Sequence, residues 1–147
     1  MMRSSIPLNI VVDTGFWFAL YDENDNYYVK ATQYVKTIEK STVLIPWPCL
    51  YEVFNTRFAR NHLAVNQFEI FLKRPNTRLI DDVPYREAAL VKTIALAMKK
   101  RYISLVDMIV QQILQDVSLK IDYLITFNER DFSEICRRRK IPIYYGE

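Results

Sequence analysis

Apolar and polar positions divide this chain into short apolar runs separated by longer, helix-patterned stretches. Leu8–Val12 (LNIVV) is apolar, partly β-branched and ends at Asp13, which predicts a buried strand. Thr14–Tyr21 (TGFWFALY) is apolar without alternation and predicts a short helix opening on Asp13. Asp25 stands where it would cap a second helix running to about Lys40. Thr42–Ile45 (TVLI) predicts a second strand, closed by Pro46 and Pro48. Pro48 also suits the first turn of a helix. Leu50, Val53, Phe54 and Phe58 then carry that helix at the right spacing to about Asn61. Roughly Ala64–Lys73 predicts another helix, Thr77–Ile80 (TRLI) a third strand, and Pro84–Lys100 an Ala- and Lys-rich helix. Ser104–Val117 reads as a helix apolar nearly all round, Tyr123–Thr126 as a fourth strand, Asn128–Arg138 as a helix and Pro142–Tyr144 as a last short strand.

Strands alternating with helices predict an α/β fold: a central parallel sheet of four to five short strands between two helical layers. The 147 residues suit one domain spanning 1–147 around one sizeable core. With only two Gly there is no Gly-rich phosphate loop and no flexible linker. The net charge of +3 is compatible with a nucleic-acid ligand without pointing to one. Cys49 and Cys136 lie far apart without metal spacing and read as buried or free thiols of a reducing compartment. A single histidine, His62, at a predicted helix end, disfavours a His-rich zinc site or a Ser-His-Asp triad. No apolar run reaches the roughly 18 residues of a membrane span, and Met1–Pro7 lacks a signal-peptide core. The expectation is a cytoplasmic protein.

Function in an open parallel sheet collects at the carboxyl ends of the strands. Asp13 follows the first strand, and Asn128–Asp131 follow the fourth. Glu52 lies early in the helix after strand two, and Asp107 in the first turn of its own helix. Parallel topology puts all four acids at one edge. Each also has a structural explanation. Asp13 suits an N-cap, and Ser104–Asp107 and Asn128–Asp131 both fit capping boxes. Glu52 is past the cap positions. With Cys49, Asn55 and Thr56 it forms a narrow polar or small stripe on an apolar segment, as Ser104 and Gln111 do beside Asp107. A polar stripe on a buried helix needs partners or a water-filled cleft. Clustered carboxylates repel unless a cation neutralises them, and oxygen-only ligands select hard Mg²⁺ or Mn²⁺. The chemistry implied is metal-assisted phosphate-ester hydrolysis.

Four segments, VVDTGFWFALYD (11–22), PCLYEVFN (48–55), SLVDMIV (104–110) and LITFNERDF (124–132), together resemble the PIN domain, specifically the single-domain VapC-type toxins of toxin–antitoxin pairs. In order and spacing they cover essentially the whole chain. The resemblance implies a PIN-like α/β/α fold, Mg²⁺- or Mn²⁺-dependent endoribonuclease activity, a homodimer and a cognate antitoxin. It places Asp13, Glu52 and Asp107 at the first three acidic positions and Thr14 and Thr126 at supporting hydroxyl positions, with Ser104 beside Asp107. Many PIN domains carry Asp two residues after the second Thr, where this chain has Asn128. A variant resembling T-x-N-x-x-[DE]-F assigns the fourth charge to Asp131 and a neutral contact to Asn128.

Arg137, Arg138 and Arg139, with Lys140, form the densest basic run and are candidates for RNA phosphate contact, as are Arg57 and Arg60; Lys99, Lys100 and Arg101 are scattered residues of the same kind. The run serves equally as a solvated helix end. Asp81–Asp82 reads as a solvated turn, and Asp25 as a cap rather than a cleft residue. Phe16, Trp17 and Phe18 read as core or dimer contact. Two rival functions remain. One is a degenerate PIN domain that only binds RNA or protein, with Asn128 as the disabling change. The other is an aspartyl phosphotransferase at Asp13, disfavoured because Gly15 stands where its second acid belongs.

Overall fold

The computed structural model describes residues 7–146. Four strands, β1 (Asn9–Val12), β2 (Thr42–Pro46), β3 (Thr77–Ile80) and β4 (Tyr123–Ile125), form one sheet in the order β3-β2-β1-β4. Every pairing is parallel, with Val11 opposite both Leu44 and Leu124. The predicted last strand is only a parallel bridge from Ile143 to Leu124. β1 and β2 are buried along nearly their whole length, so they read as continuous apolar runs rather than alternating ones. The chain passes to one side of β1 for β2 and β3 and to the other for β4. The gap between the carboxyl ends of β1 and β4 is therefore the topological switch point.

Among the described residues eight α-helices flank the sheet: α1 (Thr14–Leu20), α2 (Tyr28–Glu39), α3 (Trp47–Val53), α4 (Thr56–Ala59), α5 (His62–Leu72), α6 (Arg86–Met98), α7 (Leu105–Gln115) and α8 (Glu129–Arg139). Several of the expectations need correction. The helix predicted from Pro48 to Asn61 is two, because Asn55 caps α4 by accepting the Phe58 N–H and so ends the helix before it. The predicted start at Ala64 moves back to His62, since the Asn61 side chain accepts the Ala64 N–H; His62 thus opens a helix and does not sit at a C-terminus. Asp25 caps no helix. Its carboxylate takes the Tyr27 N–H in a tight turn ahead of α2. Asp82 is likewise buried, held in a bidentate pair by Arg86, rather than solvated.

The main core packs α1 onto the sheet. Phe16 and Trp17 are fully buried, and Trp17 meets Phe68 and Phe71 of α5 with ring centroids 4.9 and 5.0 Å apart. These two aromatics of α1 are therefore core residues. A smaller core joins α6 to α7 through Ala89, Met108, Ile109 and Ile113. Leu96 packs against this core as well, while the outer face of α6 leaves Leu90, Val91, Ile94 and Met98 exposed in one apolar stripe. No helix among the described residues is long and apolar enough to cross a membrane. Trp17→Ala is expected to cost roughly 3–5 kcal/mol, the range for emptying a buried aromatic site. Urea denaturation of the purified protein measures it, and a loss below 1 kcal/mol would show that this cluster does not anchor α1.

Candidate functional site

Four acids from four elements meet at the switch point. Asp13 is the first residue after β1; its N–H still continues the sheet by donating to the Ile125 carbonyl, 3.0 Å away. It is also the N-cap of α1, as expected, with Oδ1 accepting the Thr14 N–H at 2.8 Å. Its other oxygen, Oδ2, accepts the Thr126 hydroxyl at 3.0 Å. The Cys49 thiol lies 3.9 Å from Oδ1. Asp13 is therefore buried, 5 % exposed, with both oxygens bound. Burial raises its pKa, the two hydrogen bonds oppose that rise, and the Glu52 and Asp131 charges add to it. The same burial pushes the Cys49 thiol far up, so it is an inert neighbour rather than a nucleophile.

Glu52 comes from α3 and accepts the Thr14 hydroxyl at 2.7 Å. Thr14 thus joins two acids, through its N–H to Asp13 and its hydroxyl to Glu52. Asp107 lies in the first turn of α7. Ser104 caps that helix by accepting the Asp107 N–H at 3.0 Å, but the Asp107 carboxylate does not return the bond in a full capping box. It faces Asn128, whose amide nitrogen donates to Asp107 Oδ2 at 3.1 Å and to Asp131 Oδ2 at 2.9 Å. Asn128 therefore caps no helix with its side chain; it separates two carboxylates. Its own N–H donates to the Thr126 hydroxyl at 2.9 Å, which ties this pair back to Asp13. Gln111 fixes α8 against α7 by donating to the Asp131 carbonyl at 2.6 Å.

Neutral donors thus link all four acids in one chain, Glu52–Thr14–Asp13–Thr126–Asn128, with Asp107 and Asp131 both on the last amide. A cavity of about 390 Å³ opens over them. Asp13, Glu52, Asp107 and Asn128 line it, whereas Asp131 stands behind Asn128 and instead makes a 3.7 Å ion pair with Arg130. Ser104 does not line it either and acts on Asp107 through the backbone alone. Asp25 and Phe18, which sequence reasoning placed elsewhere, also line it, as do Tyr27 and Phe127, to which it assigned no role. Phe18 is one helical turn beyond Thr14, and Phe127 sits between Thr126 and Asn128, so both were readable from their neighbours. Asp25 and Tyr27 carry no such signal, because a loop between α1 and α2 brings them in.

Of the basic candidates, Arg57 is the nearest. It lines a neighbouring cavity of about 400 Å³ that shares Phe18 and Asp25 with the acidic one, and it pairs with Asp22 at 3.5 Å. Arg60 is exposed at the end of the same short helix α4. Arg137, Arg138 and Arg139 lie at the other end of α8, roughly 9–12 Å along the helix from Asp131. Arg139 is used structurally, donating to the Leu114 carbonyl at 3.1 Å, and Arg137 lines a separate cavity with Cys136 and Lys140.

Among the described residues no Lys or Arg forms an ion pair with Asp13, Glu52 or Asp107. Nor are three acidic, His or Cys side chains drawn close enough together to grip an ion by themselves. An all-oxygen set of this openness fits Mg²⁺ or Mn²⁺, since Mg²⁺ binds through one or two carboxylates and keeps several waters. Burial and uncompensated charge together act on Asp107 as well as on Asp13. Burial, then the Asp13 charge, then the adjoining Asp131 push the Asp107 pKa up to about 7. A carboxyl that holds its proton more tightly when folded stabilises the fold at low pH and stops doing so as pH rises through its folded value. In metal-free protein, Asp107→Asn should therefore gain stability relative to wild type as pH rises from about 4 to about 7, read as a widening gap in urea midpoints. A gap independent of pH would contradict the crowding of these acids.

No family model and no curated protein matches the sequence. Solved structures do match the fold. One is VapC20 of Mycobacterium tuberculosis, a sarcin–ricin-loop-cleaving toxin, at TM-score 0.65 and 21 % identity over 85 % of this chain and 94 % of that one. Another is VapBC2 of Rickettsia felis, bound to a DNA fragment from its promoter, at TM-score 0.58 and 16 % identity over 92 % of this chain and 97 % of that one. The chain shares the fold of these VapC structures, a parallel sheet between helical layers as its four motifs led us to expect.

Proposed function

We propose that this chain is a metal-dependent endoribonuclease, the toxin of a toxin–antitoxin pair, working in the cytoplasm on an RNA substrate. The observation that carries the reading is the linked set of acids at the switch point, with three of them facing an open cavity and unpaired by any cation among the described residues. That is an arrangement that costs stability in the empty site and is relieved by a hard divalent ion. When bound, Mg²⁺ or Mn²⁺ would lower the pKa of a coordinated water and neutralise a phosphodiester. Asp13, Glu52 and Asp107 are the residues that would hold it, with Asp131 one hydrogen bond behind. The chain's own residues then set the geometry. Thr126 and the Thr14 N–H fix both oxygens of Asp13. The Thr14 hydroxyl aims Glu52, and Asn128 holds Asp107 and Asp131 apart without adding charge.

The VapC-type fold supports a protein partner, since one of the matched structures is a VapBC assembly. The outward apolar stripe of α6 supports it too, because an exposed patch of this kind marks an interaction surface. The antitoxin and a second copy of the chain both belong to the proposal. The rival reading, a binding module without catalysis, draws on Asn128: its amide already satisfies two of the four acids without a metal.

RNA cleavage separates the two readings. Wild-type protein is expected to cut single-stranded RNA with Mn²⁺ or Mg²⁺ and to stop in EDTA. Asp13→Asn should abolish cutting. Thr126→Ala, which removes the hydroxyl's bonds to Asp13 and from the Asn128 N–H but no direct ligand, should slow it about 10- to 100-fold, as losses beyond the direct ligands do. Cleavage that survives both EDTA and Asp13→Asn would overturn the mechanism, and no cleavage under any metal would favour the binding module.

A further inference from the structure

Beside the acidic cavity runs a column of aromatic rings. It starts in the core at Tyr144, which meets Tyr34 edge-on at 4.9 Å. Tyr34 leans over Phe127 at 6.3 Å, and Phe127 stacks on Tyr27 at 4.4 Å with the rings only 4° from parallel. Tyr27 ends the column. One of its faces is covered by Phe127, yet 41 % of the residue remains exposed. The Asp25 carboxylate fixes it by accepting its N–H at 2.8 Å. Phe127 is held equally firmly, between Thr126 and Asn128, whose side chains bind the acids.

The stacked pair is also a shared wall. Tyr27 and Phe127 line the acidic cavity and a second cavity of about 320 Å³ on their other side, which Lys30 and Glu129 also line. Lys30 lies nearly one helical turn beyond Tyr27, is exposed, and forms no ion pair among the described residues. A rigid aromatic column that ends on an open ring, with a free ammonium close by and a phosphate-handling cleft adjoining, has the parts of a single-strand nucleic-acid subsite. Any base has a π-face to stack, and Lys supplies the backbone contact.

From this geometry we infer that Tyr27 is a stacking platform for one unpaired nucleobase of the RNA strand whose phosphate lies at the carboxylates. The inference rests on the RNA-cleavage reading and adds a substrate contact to it. It favours single-stranded over duplex substrate, because in a duplex the stacked neighbours cover both faces of each base. It also predicts tolerance of base identity at this position, since stacking reads no hydrogen-bond pattern.

The test uses the full chain carrying Asp13→Asn, so that the strand stays whole during the titration, and a fluorescein-labelled decaribonucleotide of mixed sequence. A strand of the same length lacking all bases is the control. Anisotropy titration is expected to show Tyr27→Leu and Tyr27→Ala weakening RNA binding about tenfold, the scale of one lost stacked base. Tyr27→Phe and Tyr27→Trp should retain it, and none of the four should change binding to the baseless strand. Leu keeps Phe127 covered, so a Leu variant that binds RNA like wild type would show that Tyr27 only shields the core and would overturn the inference. Equal losses on both strands would overturn it too, by making the effect one of charge or folding. If unsubstituted protein cuts RNA with Mn²⁺ while Tyr27→Leu binds normally, the platform alone falls. If it neither binds nor cuts the RNA, the nuclease reading falls and takes the platform with it.

Discussion

Repulsion between like charges is the constraint around which this site is built. Asn128 reaches Asp107 and Asp131 with one nitrogen, so the two accepting oxygens lie within about 6 Å of each other. Two full charges at that separation repel by roughly 3 kcal/mol at an effective dielectric of about 20. Asp13 and Glu52 add to the field at Asp107. No Lys or Arg among the described residues offsets this at Asp13, Glu52 or Asp107. Hydroxyls and one amide take that place, and they hold the acids in position while leaving their charge to be met from outside.

The fold makes that crowding possible by fixing the backbone from several directions. β1 is central and paired on both sides, so the residue that follows it cannot drift. Asp13 still takes part in the sheet through its N–H and begins α1 through its carboxylate. α1 is anchored a turn later by Phe16 and Trp17 in the core. Thr126 leaves β4 in the adjacent position and closes the gap with a hydrogen bond across the switch point. Glu52 and Asp107 arrive on separate helices: Asp107 in the first turn of α7, and Glu52 as the next-to-last residue of the short α3 rather than early in a longer helix as expected, because α3 ends at Val53.

Much of this was legible from the chain, for identifiable reasons. β3 matched its predicted limits and the other strands did so to within about a residue, because buried parallel strands are unbroken apolar runs bounded by polar or proline residues. Asp13, Asp107 and Asp131 were visible as acids at helix starts and Glu52 as a polar residue on an apolar segment, and Asp13 and Ser104 do cap, as local chemistry required. Illegible were the side-chain choices that depend on distant neighbours. Nothing near Asn128 shows that its amide leaves the helix end to bridge two acids. Nothing near Asp25 shows that its turn swings Tyr27 against Phe127, some hundred residues away in sequence. The break at Asn55 was missed because helical spacing continued through it, while the cap that ends the pattern is a single side-chain bond.

The central claim is that the four linked carboxylates form a site awaiting a hard divalent cation. Electron paramagnetic resonance of Mn²⁺ titrated into the purified, metal-free chain near pH 7.5 tests it without reference to any substrate. The account predicts saturable loss of the free-ion signal in wild type, abolished by Asp13→Asn and competed by excess Mg²⁺. A signal that stays free throughout, or binding that Asp13→Asn leaves unchanged, would contradict it.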